Sequence, residues 1–191
     1  MRITDDRYTR DRRRLDLAFR MIHHEARTQT IRTWTGLSDD RIRKLYRTYC
    51  ATRGAQVRRH RGKSPSQVAY FLKNLETRRH AAALAGLYAL LGLLREAANE
   101  GSAAGNQAAL HSGELFCRTY ETYLALNPQQ RISFEHACYL LHVLKRRAEL
   151  RPGDCPTCRG LMIVDSLKRH GGVCPWCEGE ARDRKAGSGD H

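Results

Sequence analysis

The chain has 191 residues, enough for one medium domain or two small ones with a buried core. It carries 34 Lys and Arg against 20 Asp and Glu, and 18 of the basic but only 7 of the acidic residues lie at or before Lys63. Positive charge concentrated at one end favours a polyanionic partner, nucleic acid before a membrane surface, over a simple adjustment of solubility.

Membrane, secreted and enzymatic functions find little support in the sequence. The most apolar stretch, Ala81 to Leu94, contains Gly86 and is shorter than the roughly 20 residues that a transmembrane helix needs. The first residues are charged and lack the apolar core of a secretory signal, so we predict a cytoplasmic protein that does not enter a membrane. No nucleophile–base pair, phosphate-binding loop or metal-protease spacing is present, and we expect no enzymatic activity.

The first third of the chain predicts three helices and a basic loop. Leu15, Ala18, Phe19 and Ile22 recur at helical spacing, which predicts a helix from about Asp5 to Ala26. A short helix over Thr28–Thr35 should end at Gly36, and Ser38 should cap a third helix that runs to about Cys50. Residues 51–63 then predict an exposed loop, because arginines and glycines interrupt the apolar pattern.

The middle of the chain predicts further helices. Ser64-Pro65 has the pattern of a helix start, and the following helices are expected over Glu76–Asn99, Ser112–Leu126 and Ser133–Ala148. Small polar residues at 101–106 predict a turn, and the Gly-, Ser- and charge-rich end from Arg182 predicts a disordered tail. The expected fold is mainly α: a helical domain over 1–150 with a basic DNA-binding region, a zinc ribbon over 151–180 and a flexible tail over 181–191.

Four cysteines near the end of the chain predict a metal site. Cys155 and Cys158 form one Cys-Pro-x-Cys-x-Gly motif, and Cys174 and Cys177 form another. A two-residue spacing allows one tight turn to direct both thiolates at the same ion, and the glycine is expected to supply a positive φ. We predict one structural Zn²⁺ per chain in a ribbon whose first strand is Leu161–Val164, with the chain returning through Val173.

Other interpretations of the cysteines remain open. The same spacing serves iron in rubredoxin-like sites, and His170 could replace one thiolate. Coordination by four thiolates leaves no open position for substrate, which favours a structural over a catalytic site. The other cysteines, Cys50, Cys117 and Cys138, lie on predicted helices and are interpreted as small buried side chains.

The segment Thr28–Tyr49 resembles a helix-turn-helix. On its second helix Ile42, Leu45, Tyr46 and Tyr49 share one face, which leaves the basic side chains outside, where they could contact a DNA groove or phosphates. The predicted DNA-binding residues are Arg41, Arg43, Lys44 and Arg47 on this helix and Arg58, Arg59, Arg61 and Lys63 in the loop. An ordinary solvated helix face and a solvated linker are the alternatives. Arg12-Arg13-Arg14 and Lys145-Arg146-Arg147 have simpler explanations as surface ion pairs and as complements to a helix dipole.

The ordered combination of these segments resembles the FlhC family of flagellar transcriptional activators. The similarity runs from Leu37-Ser38-Asp39-Asp40-Arg41-Ile42-Arg43-Lys44-Leu45-Tyr46-Arg47 through Gly62-Lys63-Ser64-Pro65 and Tyr120-Glu121-Thr122-Tyr123-Leu124 to the paired cysteines. The resemblance implies a DNA-binding activator that acts with FlhD in a hetero-oligomer on flagellar operons, recruits RNA polymerase and holds zinc at the four cysteines. The FlhD partner follows from the resemblance alone.

Two further functions stay open at this level. An RNA- or ribosome-associated ribbon protein would also be basic, although RNA modules usually display aromatic stacking platforms and aromatic residues here amount to 7%. An electron-transfer or thiol-redox protein would use the cysteine pairs, and an iron site would absorb visible light whereas a zinc site would not.

Overall fold

A computed structural model describes residues 2–53, 60, 62–95, 103–129, 132–168 and 172–187. Within these ranges the chain is mainly helical, with one β-hairpin and a C-terminal cluster of four cysteines, which confirms the predicted fold class. The elements are α1 (Arg2–His23), α2 (Thr28–Thr35), α3 (Asp39–Arg53), α4 (Ala69–Leu72), α5 (Leu75–Leu90), α6 (Ala103–Leu126), α7 (Phe134–Arg146), β1 (Leu150–Asp154), β2 (Leu161–Asp165) and α8 (Pro175–Gly187).

The elements form two compact units. The first comprises residues 1–64 and 97–118, and the second comprises residues 65–96 and 119–191. The cysteine-bearing segment therefore belongs to the same unit as α5 and α7 rather than to a unit of its own. The reason is direct packing, because α5 contacts β2 and α8, and α7 contacts β1.

In the first unit, α1, α2 and α3 pack against one another around a small apolar core. Its members are fully or nearly fully buried: Leu17, Ala18, Met21, Ile22, Ile31, Leu37 and Ile42. The part of α6 that belongs to this unit packs on them at Gly113, where a Cβ atom would lie 2.9 Å from Leu17 Cδ2 and 3.0 Å from Trp34 Cβ. Trp34 also stacks on Phe116 with ring centroids 5.9 Å apart. Glycine at 113 thus permits the close approach of α6.

The second unit has a core rich in tyrosine and phenylalanine. Tyr88 and Tyr120 are buried, and their hydroxyls donate to the carbonyls of Ala137 at 2.8 Å and Ile132 at 3.1 Å. Phe134 packs edge-on against Tyr120. Burial of these rings brings a large apolar area out of water, while the phenolic hydrogen bonds remove the cost of burying a polar tip.

Several helix boundaries differ from the sequence prediction. Helix α5 begins after Asn74, whose side chain accepts a hydrogen bond from Thr77 N at 2.8 Å. Ser64-Pro65 does not begin a helix, because the next helix, α4, starts at Ala69. Helix α5 ends at Leu90, and Gly92 with a φ of 79° ends the helical course earlier than predicted. Helix α6 begins at Ala103, within the stretch predicted as a turn. Alanine is the strongest helix former, so Ala103 and Ala104 favour the helix, whereas Gly105 and Asn106 gave the stretch the composition of a turn.

The hairpin and the last helix also differ from the expected ribbon. Strand β2 pairs antiparallel with β1, which precedes the first cysteine pair, and not with a strand through Val173. Gly153 faces Met162 in this register, and a Cβ at Gly153 would lie 2.8 Å from Val164 Cγ2. Helix α8 includes residues 182–187, part of the stretch whose composition predicted a tail without regular structure. Ion pairs of Glu178 with Arg182 and Glu180 with Arg184, four residues apart, support this helix.

Within the described ranges, no helix combines the length and the apolar character required to cross a bilayer.

Candidate metal centre and nucleic-acid interface

The four predicted cysteines lie close together in the second unit. Their sulfur atoms all lie within 4.8 Å of one another and could hold a metal ion. The Sγ atoms of Cys158 and Cys174 are 3.6 Å apart, and those of Cys155 and Cys177 are 4.0 Å apart. A tetrahedral ion with sulfur ligands at about 2.3 Å requires sulfur–sulfur distances of about 3.8 Å. The donor set and its spacing therefore fit a tetrahedral thiolate site.

The first cysteine pair lies in the tight turn that connects β1 to β2. Arg159 N donates to Cys155 O at 2.9 Å, and Cys155 N donates to Gly160 O at 2.9 Å. The positive φ of this turn falls on Arg159, at 61°, and not on the glycine as predicted. Glycine is favoured at 160 for a different reason, because a Cβ there would lie 3.3 Å from Cys158 Sγ.

The second cysteine pair begins α8. Cys174 precedes the helix and Cys177 lies in its first turn, where Cys177 N points to Cys174 Sγ at 3.5 Å. Cys174 N in turn donates to Cys155 Sγ at 3.2 Å. Amide groups at the start of a helix and in tight turns carry partial positive charge, and they stabilise thiolates in the same way as they stabilise other anions.

The residues after Cys177 attach the metal centre to α5. Glu178 accepts a hydrogen bond from Arg78 of α5, and both side chains are about three-quarters buried. Gly179 lies against Arg79 and Leu75 so closely that a Cβ at this position would meet the Arg79 guanidinium. The second glycine of the Cys-Pro-x-Cys-x-Gly repeat thus provides clearance for a neighbouring helix, which the local motif alone did not reveal.

The electrostatics of the four thiols indicate that a cation is needed to hold them all ionised. Hydrogen bonds from the backbone N–H groups of Cys158 and then Cys174 lower the pKa of Cys155 to about 6. Hydrogen bonds to the sulfurs of Cys174 and Cys158, with burial, raise the pKa of Cys177 to about 12. One thiolate is therefore stabilised by the protein itself, whereas a full set of thiolates requires a bound metal to offset their mutual repulsion.

The apolar packing around the cluster is small. Met162 and Val164 are buried with Cys155 and Cys174, and Val173 and Cys177 pack against them. Cys158, in contrast, is exposed. A core of this size contributes little to folding compared with a structural metal ion.

Outside this cluster, Cys117 is buried and Cys138 is half-buried, in agreement with their interpretation as packing residues. His170 and the side chain of Cys50 lie outside the described residues.

Helix α2 has the predicted bounds, whereas α3 continues to Arg53, past its predicted end at Cys50 and into the stretch predicted as a loop. Helix α2 ends at Gly36 with a φ of 67°, and Gly36 N donates to Arg32 O at 2.9 Å. Arg41 N lies 3.4 Å from Ser38 Oγ, the predicted N-cap of α3. The turn between the two helices comprises only residues 36–38, and α2 and α3 contact each other.

Helix α3 separates its apolar and basic sides as predicted. Ile42, Tyr46 and Tyr49 are buried, and Leu45 is half-buried. The Tyr46 hydroxyl donates to Ala26 O, and the Tyr49 hydroxyl lies 2.9 Å from His23 Nδ1. The two contacts fix α3 to the last residue of α1 and to the connection between α1 and α2. All four predicted DNA-binding residues of the helix are exposed: Arg41, Arg43, Lys44 and Arg47.

The basic side chains of α3 differ in their partners. Arg43 pairs with Asp40 at 2.8 Å, whereas Arg41, Lys44 and Arg47 make no ion pair within the described part of the chain. The last three recur every third residue along the helix and present a row of cations. Lys63 is exposed, and the other predicted loop residues, Arg58, Arg59 and Arg61, lie outside the described residues. His60 Nε2 lies 2.8 Å from Glu25 Oε2, and the Arg27 guanidinium donates to the Gly62 carbonyl at 2.7 Å.

Of the two other basic clusters, Lys145 and Arg146 lie in the last turn of α7, as the helix-dipole explanation predicts, and the arginines at 12–14 form ion pairs. Arg12 and Arg14 pair with acids on their own helix, Asp16 at 3.9 Å and Asp11 at 3.6 Å, as surface ion pairs should. Arg13 instead forms a two-pronged ion pair with Glu114 of α6 at 3.1 and 2.8 Å. Sequence spacing could not reveal this contact, because the two residues are 101 positions apart.

These features define a class: a basic, mainly helical protein with a helix-turn-helix-like pair and a four-cysteine site that could hold a metal ion. The family model of the flagellar transcriptional activator FlhC matches residues 4–189, nearly the whole chain, and the chain belongs to the FlhC family. It is thus a member of a family of flagellar transcriptional activators rather than of an enzyme class. A comparison with curated proteins gives no match.

Proposed function

We propose that this protein activates flagellar operons by binding duplex DNA through the exposed basic side of α3. The row of Arg41, Lys44 and Arg47 carries the proposal, because these cations are exposed and have no acidic partner within the described residues. The opposite side of the helix is held in the core of the first unit, so the cations are presented on a supported element. Such a helix can enter a major groove or contact phosphates, and the basic loop up to Lys63 would add phosphate contacts.

Exposed aromatic rings are few, which supports duplex DNA over single-stranded RNA. Within the described residues the large aromatic side chains with substantial exposure are Tyr8, at 70%, and Trp176, at 43%. Recognition of single-stranded RNA relies on stacking surfaces that a buried ring cannot provide.

The DNA proposal is tested by the salt dependence of binding. Each phosphate contact adds about 0.9 to the slope of log affinity against log salt, so Lys44→Ala combined with Arg47→Ala should reduce the slope by about 1.8. The matched control is Lys145→Ala with Arg146→Ala, which removes the same charge from exposed positions on α7. An equal reduction in both double variants would show that only net charge matters and would refute the role of α3. Structured RNA that competes as well as duplex DNA would favour the RNA-associated alternative.

We further propose that the chain acts with FlhD in a hetero-oligomer, recruits RNA polymerase and holds one Zn²⁺ at Cys155, Cys158, Cys174 and Cys177. Membership of the FlhC family supports the partners, and the thiolate set with tetrahedral spacing supports zinc. The DNA-binding measurement is therefore made for the chain alone and with FlhD added. A larger protein–DNA complex of higher affinity is expected when FlhD is present.

A further inference from the structure

A cleft in the second unit has none of the four cysteines among its lining residues. It has a volume of about 520 Å³ and is lined by Ala89, Leu94, Arg95, Arg147 and Pro152. These residues come from the end of α5, the turn after it, the C-cap of α7 and strand β1. The cleft is shallow and largely open to solvent, so it suits a segment of a partner protein better than an enclosed small molecule.

Two arginines give this cleft its charge. Arg95 and Arg147 are both exposed, and neither forms an ion pair with an acid in the part of the chain that the structure describes. Arg147 caps α7 with a φ of 52°, a left-handed conformation that favours glycine or asparagine. A positive side chain near a helix C-terminus is favourable in itself, but that effect requires neither a left-handed residue nor a cleft.

The cleft also has apolar walls. Leu94 and Pro152 are only half-buried, and Leu90, next in the chain to Ala89, is 81% exposed. A ligand that satisfies this surface must carry negative charge and apolar side chains together. A DNA backbone supplies the first but not the second.

We propose that this cleft binds an acidic segment of another protein, with carboxylates on Arg95 and Arg147 and an apolar side chain against Leu94 and Pro152. Arginine forms two parallel hydrogen bonds to a carboxylate, so two arginines in one cleft select the spacing of two acidic residues. The activator therefore has a protein-docking site in the second unit, separate from the DNA-binding side of α3 and independent of that proposal.

The test uses the full-length, metal-loaded chain and a labelled peptide that alternates aspartate and leucine. Fluorescence anisotropy measures its affinity for the parent protein, for Arg147→Gly and for Arg159→Gly. The two substitutions are matched, because both arginines are exposed and both adopt a positive φ, at 52° and 61°. Glycine takes this conformation without strain, so the thermal midpoint of either variant should not fall.

The expected result is about tenfold weaker peptide binding for Arg147→Gly, the value of one charge-assisted contact, and little change for Arg159→Gly. A peptide with serine in place of leucine should also bind more weakly to the parent protein. The proposal would be overturned if both variants lost the same peptide affinity, or if the serine and leucine peptides bound the parent protein equally well. Either result would show that only net charge matters. Loss of duplex DNA binding by Arg147→Gly with peptide binding unchanged would also overturn the proposal.

Discussion

Substitution of one exposed cysteine by alanine distinguishes a metal site from a cluster of four ordinary thiols. Cys158 is exposed, so Cys158→Ala removes a sulfur without opening a cavity in the core. In a metal-free protein such a surface change costs about 0.5 kcal/mol or less. Structural zinc contributes on the order of 10 kcal/mol, and loss of even a quarter of that would cost about 2.5 kcal/mol. The two interpretations therefore differ about fivefold in the loss of unfolding free energy that the substitution causes.

The measurement combines metal content with hydrogen exchange and urea denaturation. We expect the parent protein to be colourless with one zinc per chain, and Cys158→Ala to lose the metal and the larger stability increment. Protection should fall in α8 and in α5, because Arg78 and Arg79 of α5 contact the residues directly after Cys177. Protection in α1–α3, which belong to the first unit, should persist.

The control is Cys138→Ala, which removes a half-buried thiol on α7 outside the cluster and should keep the metal. If Cys158→Ala unfolds at the same urea concentration as the parent protein and the parent contains no metal, the structural-site interpretation fails. A coloured parent protein that contains iron would retain the site but refute zinc.

Two further predictions concern the helical framework. Gly113→Ala should destabilise the protein by about 1–2 kcal/mol, because overpacking against Leu17 outweighs the gain in helix propensity. Gly86→Ala should stabilise it by up to about 1 kcal/mol, because no atom lies within 4 Å of the new Cβ. Thermal denaturation decides, and the same sign for both substitutions would contradict the packing. A double-mutant cycle on Arg13 and Glu114 should give a coupling energy of about 0.5–1 kcal/mol. This coupling should decrease as salt is added, because both side chains are partly exposed. A coupling energy of zero at low salt would contradict the ion pair.

The features that depend on local spacing could be predicted from the sequence. The bounds of α2, the Ser38 cap and the apolar side of α3 follow from short-range periodicity and hydrogen bonding, which involve residues only a few positions apart. The meeting of the two cysteine pairs was inferred from metal-ligand spacing, and each pair by itself was predictable because its own turn or helix start brings its two sulfurs together. The start of α6 was not, since a run of small residues fits both turn and helix.

By itself, the sequence determined a basic helical chain with a helix pair and a four-cysteine cluster, and its ordered segments indicated the FlhC family. The tertiary structure alone decided which distant residues meet. It placed Glu114 on Arg13 and Glu178 on Arg78, and it combined Arg95 and Arg147 in one cleft. The physical reason is that periodicity encodes which side of an element is apolar, whereas the partner of that side depends on how the elements pack together.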